Sequence, residues 1–160
     1  MYITTIYSSL SKNQKRRLNL FLKSNFNVNG NFEFEPMTII ILDLLDDAII
    51  GCICLFDNKF LLDKLELNNV EIKNYSFDNS NAHGCFIYNL CVNKNHRNQK
   101  IGHNLLCYTI DKMKELNIEY LHTHAESEIS RMLFLKNGFM EDNQFISVNN
   151  DTIFVMCKYL

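Results

Sequence analysis

Hydrophobic and polar positions along the first third of the chain predict a strand, a helix and a β-hairpin. Residues 1–7 alternate weakly and are rich in β-formers, and residues 8–26 place leucine and phenylalanine at helical spacing beneath a basic outer face. The helical stretch is either one helix or two short ones. Two β-branched runs, 38–45 and 48–56, flank an Asp-Asp pair, which is typical of a hairpin. Because both runs are almost continuously hydrophobic, both faces of their sheet are expected to be at least partly covered.

The second half of the chain predicts alternating strands and helices. The expected elements are a strand over 85–92, a helix over 100–116, a strand over 118–124, a helix over 127–136 and two strands over 139–148 and 152–159. Asn137 and Gly138 form the stop signal of the second of these helices. Residues 58–82 contain apolar pieces and many asparagines but no clean period, so no element is assigned to them. Three strands in a row followed by alternating elements predict a mixed α/β fold rather than a doubly wound parallel sheet.

Length and composition limit the classes of protein to which the chain can belong. With 160 residues, of which 47% are hydrophobic and 21% charged, the chain is expected to form one globular domain over 1–160. A formal net charge of -2 argues against nucleic-acid coating, and no apolar run reaches the roughly 18 residues of a membrane span. The N-terminus lacks the order of a secretory signal peptide, so a cytoplasmic location is expected. The cysteines contain no Cys-x-x-Cys pair, so we expect buried reduced thiols and no metal site.

The most informative stretch runs from residue 88 to residue 106, where a strand enters a turn that opens directly into an amphipathic helix. The turn carries Arg97, Lys100 and Gly102. Backbone N–H groups at a helix start, together with the helix dipole, form an anion site, and the two cations add positive charge beside it. These residues indicate a phosphate or pyrophosphate ligand or, alternatively, an ordinary strand–turn–helix with a solvated basic turn. They match neither the three-glycine dinucleotide fingerprint nor the phosphate loop with Gly-Lys-Ser/Thr.

The same turn resembles a family signature. The sequence Arg-x-x-Lys-x-Gly over 97–102, placed five residues after Val92 and followed by a Leu-Leu helix, is similar to the acyl-CoA signature of the GNAT superfamily of N-acetyltransferases. Two further parts of the chain are similar in register. Residues 120–127 and 133–139 resemble the family's next strand, helix and terminal Gly-Phe, and residues 156–160 resemble its last strand.

The resemblance implies a GNAT-type α/β fold, in which a mixed, mostly antiparallel sheet with a central splayed pair of parallel strands is flanked by helices. It implies acetyl-CoA as co-substrate, with the pantetheine arm inserted at the splay and the pyrophosphate wrapped by the turn, and it implies no metal. Carried over to this chain, the cofactor-binding residues are Leu90, Cys91, Val92, Arg97, Asn98, Gln99, Lys100, Gly102, His103, Ser127 and Phe134. The backbone N–H of Leu90 is further expected to polarise the thioester carbonyl and to stabilise the oxyanion.

Two residues depart from the family pattern. Lys100 replaces the family's first glycine, and its β-carbon costs about 1 kcal/mol or more if the backbone there has a positive φ. A contact from its ammonium group to phosphate would compensate for that strain. Phe134 stands where many relatives have a tyrosine proposed to protonate the leaving thiolate, which phenylalanine cannot do. Another group or water is expected to serve instead, or turnover is expected to be slow.

The acceptor amine must lose a proton before it attacks. At pH 7 the free base costs a lysine-like amine roughly 4–5 kcal/mol, but it costs an α-amine only about 1–1.5 kcal/mol. The Tyr-Leu-His sequence ending at His122 resembles certain protein N-terminal acetyltransferases, in which the matching histidine is the base, and His124 is the reserve candidate. Tyr88 is expected to orient the amine or to relay a proton through water. A purely structural role is the alternative for each of these side chains.

We therefore expect an acetyl-CoA-dependent N-acetyltransferase that works by direct attack of a primary amine in a ternary complex. A peptide or protein N-terminus is the favoured acceptor, ahead of a lysine or a small-molecule amine. A catalytically weak, CoA-binding regulatory domain is the alternative, suggested by Lys100 and Phe134. The expected partners are acetyl-CoA and the amine, with no nucleic acid and no membrane, and the chain is expected to be a monomer or a homodimer.

Overall fold

The computed structural model of the chain describes residues 1–26, 29–67 and 83–160, with the backbone alone for 64–67. The strands are β1 (Tyr2–Ile6), β2 (Ile39–Leu45), β3 (Ala48–Asp57), β4 (Gly84–Val92), β5 (Tyr120–Ala125), β6 (Met140–Ile146) and β7 (Thr152–Tyr159). The helices are α1 (Lys12–Phe26), α2 (Asn58–Leu67), α3 (Ile101–Glu115) and α4 (Glu128–Lys136), and short 3-10 turns occupy Tyr7–Ser9 and Lys94–His96.

These strands form a mixed sheet in the order β1-β2-β3-β4-β5-β7-β6. The pairs β1–β2, β2–β3, β5–β7 and β6–β7 are antiparallel, whereas β4 and β5 are parallel. Parallel neighbours need a crossover connection, and the segment containing α3 provides it between β4 and β5. A mostly antiparallel sheet with a central parallel pair, flanked by helices, confirms the fold class predicted from the sequence.

The chain divides into two compact units. The first consists of Met1–Leu55 and Asn89–Thr109, and the second consists of Phe56–Tyr88 and Ile110–Leu160. Strand β4 and helix α3 each contribute residues to both units. The single acyltransferase domain expected over 1–160 stays a prediction.

In the first unit, β2 and β3 form the predicted hairpin. Asp46 and Asp47 turn the chain with φ angles of 48° and 63°, and positive φ at both central positions is characteristic of a type I′ turn, whose twist suits a hairpin. Gly51 in β3 allows a close approach by α3. A Cβ at this position would stand 3.0 Å from Leu105 Cδ2 and 3.3 Å from Ile101 Cγ2. The glycine therefore lets the start of α3 lie directly against the strand.

Helix α1, also in the first unit, starts later than the sequence pattern suggested. The 8–26 stretch divides into the 3-10 turn and a helix from Lys12. A capping box explains this start, because the Gln14 N–H donates to Ser11 Oγ at 3.3 Å and the Ser11 N–H donates to Gln14 Oε1 at 2.8 Å.

In the second unit, a hydrophobic cluster joins α2 to the strands β4, β5 and β7. Its buried members are Leu61, Phe86, Tyr120 and Cys157, and the half-buried Phe56, Leu62 and Tyr88 pack against it. Helix α4 ends as predicted at Asn137 and Gly138. Gly138 has a φ of 78°, its N–H donates to the carbonyl of Leu135 at 3.0 Å, and the Phe139 N–H donates to that of Phe134 at 3.1 Å. This pair of bonds is a Schellman motif, which satisfies the last carbonyls of the helix.

Helix α2 was not assigned from the sequence. It occupies the first ten residues of the 58–82 segment, and residues 68–82 of that segment lie outside the described residues. Its start had a signal, because Asp57 is a good N-cap residue and its Oδ1 accepts from the N–H of Phe60 at 2.7 Å. The helix buries Leu61 and Asn58, and Asn58 proves important for the site described below.

Candidate active site

The candidate cofactor site begins where β4 ends. Asn93 follows the strand, and its N–H donates to the carbonyl of Ile50 in β3 at 2.8 Å. Its side-chain Oδ1 accepts from the N–H of Asn95 at 2.9 Å and so caps the 3-10 turn Lys94–His96. These two bonds hold the entry to the turn in place within the first unit.

Residues 97–100 form a turn in front of α3. Asn98 and Lys100 have φ angles of 63° and 61°, so the backbone is left-handed on either side of Gln99. The first helical bond of α3 runs from the Asn104 N–H to the Lys100 carbonyl at 2.9 Å. The N–H groups of Ile101, Gly102 and His103 therefore have no acceptor within the helix. Together with the helix dipole, they form an anion site.

Arg97, the first residue of the turn, and Cys91, six residues before it, offer a ligand different groups. Arg97 is exposed, and its Nε donates to the carbonyl of Val92 at 3.4 Å. The thiol of Cys91 is buried, and burial, with a smaller contribution from Cys52, raises its pKa to about 12, although Arg97 and Lys94 oppose that rise. The Cys91 thiol is therefore neutral, and only the backbone of this residue is suited to contact a cofactor.

Lys100 provides a direct test of the turn. Its φ of 61° is a left-handed conformation that costs a non-glycine residue roughly 1–2 kcal/mol, whereas glycine adopts it freely. We expect Lys100→Gly to raise the free energy of unfolding by about 0.5 kcal/mol, because relief of strain is partly offset by the greater entropy of the unfolded chain. The same change should weaken CoA binding about fivefold through loss of the ammonium group. Urea denaturation and CoA titration measure the two effects, and tighter CoA binding would show that the lysine does not contact phosphate.

The parallel pairing of β4 and β5 covers only part of both strands. The paired residues are Gly84–Ile87 with Tyr120–Thr123, and the hydroxyl of Thr123 donates to the Ile87 carbonyl at 2.7 Å at the last pair. Strand β4 continues beyond this point to Val92. Leu90 and Val92, the predicted backbone partners of the pantetheine arm, thus lie beyond the stretch that pairs with β5.

His122 is completely buried in the second unit, at 0% exposure. Its Nε2 lies 2.6 Å from Oδ1 of Asn58, and its ring centroid lies 5.0 Å from that of Phe86 and 5.6 Å from that of Tyr120. Burial lowers the pKa of His122 to about 3, with a further contribution from the charge of His124. The ring is therefore neutral at pH 7. Because an amide oxygen accepts and cannot donate, the proton of this neutral ring sits on Nε2, and the acceptor lone pair is on Nδ1.

Tyr88 and His124 lie near the same cluster. The Tyr88 ring stacks on Phe56 with centroids 4.0 Å apart and planes inclined by 2°. His124 is half-buried, with Phe86 at 5.2 Å and Phe145 at 5.3 Å, both in edge-on contact. The structure thus places Tyr88, His122 and His124 around one aromatic cluster, which sequence spacing alone did not show. Asn58 is a further polar residue beside this cluster, which the sequence pattern did not single out.

Ser127 and Phe134 have structural roles in α4. The Ser127 hydroxyl accepts from the Ser130 N–H at 3.2 Å and caps the helix. Phe134 is buried, with its ring centroid 5.0 Å from that of Phe139 across the Schellman motif. Their contacts with a cofactor stay predictions, as do those of the turn residues.

Over the part of the chain that the structure describes, no group of three or more His, Cys, Asp or Glu side chains is placed to hold a metal ion. Within the same ranges, no helix combines the length and the apolar character needed to cross a membrane. All six cysteines are outside disulfides, and Cys107 alone among them is not buried.

Comparison with protein families identifies the fold that carries this site. The acetyltransferase (GNAT) family model matches residues 6–139. The chain belongs to the GNAT acetyltransferase family. This confirms the resemblance recognised in the turn, and members of this family are N-acetyltransferases that use acetyl-CoA as co-substrate.

A curated GNAT relative supports the assignment over part of the chain. It is the GCN5-related N-acetyltransferase 6, chloroplastic, of Arabidopsis thaliana, which is 34% identical over 79 residues. The match covers 47% of this chain and 27% of that protein. The chain therefore matches only about a quarter of the length of this relative.

Solved GNAT structures resemble the whole chain. The ribosomal-protein-S18-alanine N-acetyltransferase from Escherichia coli has a TM-score of 0.67 and 10% identity, over 99% of this chain and 94% of that one. The NatC complex bound to Gag peptide and CoA has a TM-score of 0.66 and 16% identity, over 99% of this chain and 98% of that one. At such identities the likeness is one of fold.

The turn of this GNAT chain suits the co-substrate of the family. A diphosphate needs several N–H donors converging from one side and positive charge nearby. The first turn of α3 offers the N–H groups, Asn98 and Lys100 turn the backbone just before it with left-handed φ values, and Arg97 and Lys100 are exposed cations of the same turn. The residues present therefore fit acetyl-CoA.

Proposed function

We propose that this GNAT chain transfers the acetyl group of acetyl-CoA to the α-amine of a peptide or protein N-terminus, by direct attack in a ternary complex. The observation that carries the choice of acceptor is the buried, neutral state of His122. A histidine whose pKa is lowered to about 3 cannot hold a proton at pH 7. The acceptor must then provide most of its own free base.

The fractions of free base that different amines hold at pH 7 favour an α-amine as the acceptor. An α-amine with a pKa near 8 has roughly a tenth of its molecules deprotonated at pH 7, whereas a lysine-like amine near 10.4 has less than about a thousandth. The difference amounts to roughly 3 kcal/mol of the barrier. A site with a strong base could cover that difference, but a buried neutral imidazole cannot. An α-amine therefore suits this site better than a lysine.

Each group has a defined task in the proposed reaction. Acetyl-CoA, when bound, supplies the activated acyl group as a thioester. The turn residues bind its phosphates, and the Leu90 N–H donates to the carbonyl oxygen on which negative charge develops. As the amine nitrogen bonds to the carbonyl carbon and the carbon–sulfur bond breaks, neutral His122, held by Asn58, accepts the proton that the amine loses, and Tyr88 orients the amine. Solvent supplies a proton to the departing CoA thiolate. Much of the rate comes from holding the amine and the thioester next to each other.

The proposal is tested by thiol release with matched acceptors. One peptide has a free N-terminus and no lysine, and its partner has an acetylated N-terminus and one lysine. Thiol release is expected with the first peptide and close to background with the second. Preference for the lysine peptide, or for small-molecule amines over both, would overturn the choice of acceptor while leaving acetyl transfer intact.

The pH dependence of the same reaction tests the state of His122. We expect kcat/KM for the favoured peptide to rise tenfold per pH unit up to the acceptor pKa near 8 and then to level off, because only the free amine attacks. His122, with its pKa lowered to about 3, should add no inflection near 6.5. An inflection near 6.5 that disappears in a His122 variant would show an ordinary, solvated histidine acting as the base.

A catalytically weak, CoA-binding domain is the second candidate. It is favoured by Phe134, which carries no hydroxyl to protonate the leaving thiolate, and by the burial of His122. Acetyl-CoA binding without thiol release across peptides and small amines would select this function.

A cytoplasmic location and a monomeric or homodimeric state are also part of the main proposal.

A further inference from the structure

Helix α1 carries a local positive charge that the proposed reaction does not use. Its fifteen residues include five cations and no carboxylate, in a chain of formal net charge -2. Of the five, Arg17 donates to the carbonyl of Asp47. Lys12, Lys15, Arg16 and Lys23 remain, and in the described part of the chain none of these four forms an ion pair with a carboxylate.

Lys15, Arg16 and Lys23 line an open channel of about 770 Å³.

 A separate cavity of about 470 Å³ lies in the second unit beside Asp57 and His83. The channel of about 770 Å³ lies entirely in the first unit, between α1 and residues 31–34.

We call this channel the α1 groove, and its chemistry is both basic and aromatic. Its lining includes the cations Lys15, Arg16 and Lys23 and the rings of Tyr7, Phe32 and Phe34. Glu33 also lines it, so that three cations face one carboxylate. Leu20, which is 56% exposed, lies on the helix between the cations and adds apolar surface.

We propose that the α1 groove docks an acidic peptide segment of a protein partner, in an extended conformation with an apolar residue between its carboxylates. Lys15 and Lys23 are eight residues apart on α1, which corresponds to about 12 Å along a helix. Carboxylates four residues apart on an extended peptide are separated by about 13 Å. Side chains at these positions, and at the position midway between them, point to the same face of the peptide. The middle one would meet Leu20.

The aromatic residues favour a peptide over single-stranded nucleic acid. Bases bind such grooves by stacking on open ring faces. The Tyr7 ring, however, already has Lys15 Nζ 4.7 Å from its centroid and Phe34 at 4.9 Å. Phe32 and Phe34 lie against each other, with centroids 6.4 Å apart. These contacts leave the rings better suited to packing against apolar side chains than to stacking with bases.

A binding experiment with a defined probe tests the proposal. The probe is a fluorescein-labelled, N-acetylated peptide of about twelve residues, with glutamates four positions apart and leucines midway between them. Because it has neither a free α-amine nor a lysine, its binding is independent of the acetyl acceptor. We expect the full chain to bind it, and we expect a version with glutamine in place of glutamate to bind about tenfold more weakly.

Matched variants locate the binding site. Lys15→Gln with Lys23→Gln should weaken probe binding about tenfold, and Leu20→Asn about threefold. The control pair, Lys114→Gln with Lys136→Gln, removes the same charge from the last turns of α3 and α4 and should change binding less than twofold.

Three results would overturn this inference. They are equal losses in the two double variants, equal binding of the glutamate and glutamine peptides, and tighter binding of a single-stranded oligonucleotide of similar length. None of these results bears on thiol release, so the proposed acetyl transfer is tested separately.

Discussion

Gly102→Glu is expected to weaken acetyl-CoA binding by at least about 100-fold without destabilising the fold. Gly102 lies in the first turn of α3, among the N–H groups that have no helical acceptor. A carboxylate there interacts favourably with the helix dipole and stabilises the helix by up to about 1 kcal/mol. The same carboxylate repels a pyrophosphate that approaches the same N–H groups. Isothermal titration with CoA and thermal unfolding together measure the two opposite effects.

Gly30→Glu is the matched control for charge. A Cβ at Gly30 would meet no heavy atom within 4 Å, so the substitution adds the same charge to an open position. Its CoA affinity should stay within twofold of the unmodified chain. If Gly102→Glu also binds CoA normally, the turn over 97–103 does not hold the pyrophosphate, and the proposed cofactor site is wrong.

His122→Phe is expected to lower kcat by about 100-fold, with CoA affinity unchanged within twofold. Phenylalanine keeps an aromatic ring packed against Phe86 and Tyr120, but it removes both nitrogen atoms and thus the proton acceptor. General-base catalysis contributes about 10²–10⁴-fold to the rate in other enzymes. The lower end is expected here, because the α-amine supplies much of its own free base. Single-turnover thiol release with the favoured peptide measures the effect.

The buried position of His122 calls for a control on stability. His122→Phe removes the donor to the Asn58 amide oxygen, both partners being 0% exposed, and this should cost about 1–3 kcal/mol of unfolding free energy. Asn58→Leu in the same chain removes the polar group and should restore most of that stability, but it should not restore kcat. Recovery of kcat together with stability would show that His122 acts on the fold alone.

Local sequence signals were enough to predict the strand, turn and helix over 85–116, in which the cofactor turn is proposed. The order of strand, basic turn and helix is a property of consecutive residues, and the left-handed φ at Lys100 was anticipated as the cost of replacing a glycine. The stop of α4 at Gly138 and the hairpin at Asp46 and Asp47 were predicted for the same reason. In each case the backbone requirement is met by residues within a few positions of one another.

Helix α2 and the environment of His122 could not be derived in the same way. Because the 58–82 segment has no clean hydrophobic period, the N-cap signal of Asp57 did not lead to a predicted helix. The burial of Asn58 in that helix was therefore not predicted either. The hydrogen bond between Asn58 and His122 joins residues 64 positions apart. Contacts of this kind depend on how elements pack, which local patterns do not record.

The amino-acid sequence alone thus determined the order of most elements, the family and the turn proposed to hold an anionic co-substrate, because periodicity, turn chemistry and helix starts depend on residues close together in the chain. Tertiary structure alone decided the state of the catalytic candidate. Packing of α2 against β5 withdraws His122 from water, and desolvation rather than sequence position makes its ring neutral. That burial is the reason an α-amine, which needs little help to lose its proton, is the acceptor proposed here.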